Sequence, residues 1–89
     1  MKQYEVYIRE TGEDKYRMDI LTIPKDKEEG DKVIEGNFKK ILSDFVNYQN
    51  NFDGNISLNC SGLEKEKIKT LEIVGDMHNK LALIKKIIG

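Results

Sequence analysis

The chain of 89 residues holds one cysteine, one proline and one histidine, and its charges almost cancel. Each shortage closes off a class of function. Cys60 alone cannot form an intramolecular disulfide, and metal centres built on paired thiolates are excluded as well, so a reducing, cytoplasmic setting is expected. A zinc site needs three or four nitrogen, sulfur or oxygen ligands, which one histidine and one cysteine do not supply, so no metal or other cofactor is expected. No segment approaches the roughly 20 apolar residues of a membrane-crossing helix. The opening MKQYEVYIRE lacks the apolar stretch of a secretory signal. Basic residues number 15 against 16 acidic ones, a net charge of −1, which gives no overall field to draw the molecule onto nucleic acid or an anionic membrane. No glycine-rich phosphate cradle occurs, and no small-molecule ligand is evident.

What is present suffices for a folded domain. Hydrophobic residues make up 38% of the chain and charged residues 35%, enough apolar side chains for a small core and too many for general disorder. One domain over residues 1–89 is expected. Lysine greatly outnumbers arginine, a compositional association with AT-rich bacterial or phage genomes.

Local periodicity predicts the elements. Tyr4, Val6 and Ile8 alternate with Glu5, Tyr7 and Arg9, the period of a half-buried strand. A second strand, Tyr16 to Ile23, follows the turn residues ETGED and completes a hairpin, with Pro24 ending it. Placing Ile8 opposite Ile20 would set Arg9 across from Asp19. PKDKEEGDK reads as an exposed loop. Ile34, Phe38, Ile41, Leu42, Phe45 and Phe52 then recur at helical spacing, with Asn37 suited to cap the helix start and KVIE left as a short extended piece. Asn55 to Cys60 alternates again. IKTLEIV favours a further strand, broken at Gly75. In VGDMHNK, Asp76 would cap a last helix that carries Met77, Leu81, Ile84 and Ile88 towards the core. The same residues also fit one long helix from about Glu64, with Gly75 inside it costing about 1 kcal/mol relative to alanine. The β-branched run tips the expectation to strand then helix. The resulting fold class is α+β in the order ββαββα, an antiparallel four-stranded sheet with two helices packed on one face.

Chemistry is sparse. A nucleophile would pair Cys60 with His78, oriented by Asp76 or Asn79. Cys60, however, alternates with Ile56 and Leu58, where a free cysteine behaves as a small hydrophobe, and His78 is expected to face solvent. No catalytic residue is assigned. DKEEGD lacks the ligand spacing of a calcium loop. The better candidate is the outer face of the first hairpin. Tyr7, Arg9, Arg17, Asp19 and Leu21 share it, and Glu28 and Glu29 of the acidic loop would form its rim. The expected function is a small non-enzymatic binding module acting through protein–protein contacts, with a protein partner or a second copy as occupant. An inhibitor, antitoxin, immunity or regulatory protein of a phage or mobile element has this profile. The alternative is a nucleic-acid-binding accessory protein, with Tyr7 stacking on a base while Arg9 and Arg17 meet phosphates.

Overall fold

A computed structural model describes residues 2–23, 31–51 and 54–88. Its elements run β1 (Lys2–Gly12), β2 (Lys15–Ile23), β3 (Lys32–Gly36), α1 (Phe38–Asn51), β4 (Gly54–Ser61) and α2 (Lys65–Ile88). The chain is therefore α+β, but in the order βββαβα rather than ββαββα. Its sheet has the strand order β3-β2-β1-β4, with β1–β2 and β2–β3 antiparallel and β1–β4 parallel. The expected all-antiparallel sheet is corrected to a mixed one. The reason lies in α1, which carries the chain from one edge strand to the other, across both central strands, and so delivers β4 alongside β1 in the same direction.

Alternation in β1 and β2 decides which side is buried. Tyr4, Val6, Ile8, Tyr16, Met18 and Ile20 lie inside, together with Ile56 of β4, and onto them pack Ile41 and Phe45 of α1 and Leu71 of α2. Both helices cover that face. The hairpin pairs Ile8 with Met18, not Ile20, and Arg9 lies opposite Arg17, not Asp19. A slip of two residues leaves every side chain on its expected face, so the face assignment stands although the register does not. A bulge between Glu10 and Gly12 and a positive φ of 49° at Asp14 close the turn.

KVIE, read as a short extended piece, is most of β3, and Asn37 caps α1: the Lys40 amide donates to Asn37 Oδ1 at 2.9 Å. Phe38 meets the buried Tyr16 ring edge-on at 5.6 Å. Lys67 donates to the Tyr16 hydroxyl and spans both rings, its Nζ 4.9 Å from the Tyr16 centroid and 5.4 Å from that of Phe38. That hydroxyl holds the Lys67 ammonium above its ordinary pKa. Phe52 and the loop residues 24–30 lie outside the described residues.

The largest departure is the C-terminal third. IKTLEIV is not a strand, and Lys65–Ile88 forms one helix of 24 residues, about 36 Å long. Asp76 therefore lies in mid-helix and caps nothing. Tertiary contact overrides the β-forming run: Ile68, Leu71, Val74, Gly75, His78, Asn79 and Ala82 fall on one face, where each is buried or half-buried. Met77, Leu81 and Ile84, expected to face the core, are instead exposed. Gly75 is buried, and a Cβ built there would stand 4.0 Å from Phe45 Cζ, an ordinary contact.

Gly75→Ala is accordingly expected to stabilise the protein by about 0.5–1 kcal/mol, because alanine removes the helix penalty of glycine without a clash. The midpoint of denaturant unfolding reads this directly. A lower midpoint would contradict a continuous helix through Gly75.

Candidate functional site

The sheet face opposite the helices is open. In register across the four strands run Val33, Asp19, Tyr7 and Asn59, and beside them Glu35, Arg17, Arg9 and Ser61. The five residues expected on the outer hairpin face, Tyr7, Arg9, Arg17, Asp19 and Leu21, all lie here. Leu21 is half-buried and Tyr7 exposed. Glu28 and Glu29 lie outside the described residues. Sequence reasoning missed the outer thirds of this face, because nothing local reveals that β3 and β4 flank the hairpin.

Half of its charges are already engaged. Arg17 Nε donates to Asp19 Oδ1 at 3.1 Å. The Tyr7 hydroxyl donates to Glu5 Oε2 at 2.7 Å, and this bond to a carboxylate raises the phenol's pKa. Exposed Arg9 makes no hydrogen bond or ion pair among the described residues and borders a shallow depression lined by Tyr7, Asp19, Asn59 and Ser61. The face thus offers one uncommitted guanidinium beside an aromatic ring and several amide and hydroxyl groups, in a setting where Glu5, Asp19 and Glu35 balance Arg9, Arg17 and Lys15.

The VGDMHNK segment does different work from the capping expected of it. In a parallel pair, alternate residues of an edge strand turn both N–H and C=O outward. Ile56 of β4 is one of these, and Asn79 of α2 meets both groups: the Ile56 amide donates to Asn79 Oδ1 at 2.9 Å, and Asn79 Nδ2 donates to the Ile56 carbonyl at 3.1 Å. A single side-chain amide thereby takes the place of a neighbouring strand. His78 is half-buried on the same helix face rather than solvent-facing.

Cys60 sits half-buried on β4, against the core cluster. Burial pushes its thiol pKa up, and the Glu72 carboxylate pushes it the same way. Both effects suppress the thiolate that nucleophilic attack requires. Among the described residues no three His, Cys, Asp or Glu side chains gather to hold a metal ion, and no helix is long and apolar enough to cross a membrane.

No protein-family model, curated protein or solved structure matches the chain.

Two outcomes follow from this geometry. Asn79→Ala should cost about 1–3 kcal/mol, since it strands two backbone groups, and hydrogen exchange at the Ile56 amide should accelerate; an unchanged exchange rate would deny the bridge. Native Cys60 should alkylate more slowly than Cys60 in the unfolded chain, as followed by mass spectrometry, whereas faster native labelling would reveal an activated thiol.

Proposed function

We propose that the protein is a small non-enzymatic binding module that engages a protein partner through the open sheet face, in the manner of an inhibitor, immunity protein or regulator. One observation carries this reading: Tyr7, Arg9, Arg17, Asp19 and Leu21 share a continuous face on which Arg9, alone of the two facing arginines, makes no ion pair among the described residues. Tyrosine and arginine are the residue types that anchor protein interfaces, and amide and hydroxyl groups around them suit a polar rim. The Cys60 thiol, on the helix-covered side and raised in pKa by burial, is not poised as a nucleophile.

A nucleic-acid strand is the second reading. An open four-stranded sheet with a surface aromatic is a platform on which bases stack. The charge balance of the face weighs against it, because phosphate binding needs an excess of lysine and arginine. The partner is therefore expected to be a protein.

Affinity capture from source cells, with the intact protein compared against a Tyr7→Ser/Arg9→Ala variant, tests the choice. Both side chains are exposed, so the variant should keep its melting temperature and lose capture of a specific protein by at least about tenfold. Equal capture by both forms would remove the sheet face from consideration. Tight binding of single-stranded DNA or RNA that falls steeply with salt would transfer the face to the nucleic-acid reading.

A further inference from the structure

From Ile73 onward, α2 bears apolar surface that no other element among the described residues covers. Ile73, Met77, Leu81, Ile84 and Ile88 recur at steps of four, four, three and four, which makes one stripe along a helix. This stripe lies away from buried Leu71 and Gly75, and its members are exposed from 49% at Ile84 to 80% at Ile88. With Ile87 added, the patch leaves about 700 Å² in water, more than the roughly 300–600 Å² of the largest patch on a typical monomer. From Leu83 to Ile88 every residue is exposed, so the helix end extends past the body that supports its beginning.

We infer that this stripe seats α2 of a second copy of the chain, packed antiparallel about a two-fold axis. Complete covering of two such patches sets an upper bound of about 1,400 Å² removed from water, a bound that reaches into the roughly 1,200–2,000 Å² that specific, stable interfaces bury. The patch is also suited to self-pairing, since a two-fold interface uses the same surface on both copies. Met77, Leu81, Ile84 and Ile88 fall at alternating core positions of a coiled-coil repeat, with Lys80 and Lys85 at its flanks. A parallel pair would place Lys80 beside Lys85 of the second copy, like charge against like. The antiparallel arrangement separates them, keeps the two folded bodies at opposite ends, and lays the overhanging Leu83 to Ile88 of one copy along Ile73 and Met77 of the other. Both open sheet faces stay free, so this pairing does not rest on the reading of that face.

Sedimentation equilibrium over a rising concentration series tests the proposal. The mass should move from the 10.3 kDa of one chain to twice that value. Leu81→Lys/Ile84→Lys should hold the mass at one chain throughout while helical circular dichroism and cooperative melting persist, because both positions are exposed. Ile88→Lys, at the helix end where folding does not depend on it, should weaken pairing at least about tenfold. Spin labels on Lys65→Cys in a Cys60→Ser background should lie more than about 40 Å apart. A single-chain mass at every concentration, a dimer unaffected by the lysine substitutions, or closely spaced labels would overturn the proposal. So would binding of the single chain to anionic phosphatidylserine vesicles that the Leu81→Lys/Ile84→Lys pair abolishes, which would assign the stripe to a lipid surface.

Discussion

Everything in this molecule depends on the burial of one face of a two-stranded core, β1 and β2, under two helices. Val6, Ile8, Tyr16 and Met18 are sealed on the sheet side, with Ile41, Phe45 and Leu71 above them. Side chains of this size contribute about 1.5–3 kcal/mol each when fully buried, and the net stability of a domain is only about 5–15 kcal/mol. A few such contacts therefore decide whether the chain folds. Because strand side chains alternate, committing these residues inward forces Tyr7, Arg9, Arg17 and Asp19 outward, and the open face is a direct product of the core.

Closing one face does not close the edges. Among the described residues β3 and β4 each leave a row of backbone groups without a neighbouring strand, and unpaired rows invite pairing with other chains. Side chains from the following helix answer at both ends. Asn79 meets Ile56 on β4, and Lys40 Nζ donates to the Glu35 carbonyl on β3 at 3.2 Å. The helices thus cover the core and also engage one backbone site on each edge strand.

Features set by neighbours a few residues away were legible in the sequence. The hairpin faces, the Asn37 cap and the stripe of α1 all follow from local spacing, and the five hairpin residues were grouped correctly because alternation alone assigns a face. Features set by distant partners were not. The parallel pairing of β1 with β4 leaves no local mark, and the Asn79 bridge spans 23 residues. In the C-terminal third, propensity and packing disagreed. Thr70 to Val74 prefers extended backbone and Gly75 weakens a helix, yet Leu71, Val74 and Gly75 turn together onto the core only when the segment is helical. The apolar spacing of Met77, Leu81 and Ile84 was read as core-seeking, when the residues that reach the core lie on the other side of the same helix.

The position of β1 has a consequence for how the chain is made. β1 precedes its sheet neighbours in the chain yet lies inside the sheet, and its outer neighbour β4 leaves the ribosome roughly forty residues after it, a delay of a few seconds at ordinary rates of translation. The hairpin can form at once, but one flank of β1 stays bare until β4 arrives, and β4 in turn awaits Asn79. Order along the chain thus makes the hairpin available before β4, and the Asn79 clasp of α2 available only after both.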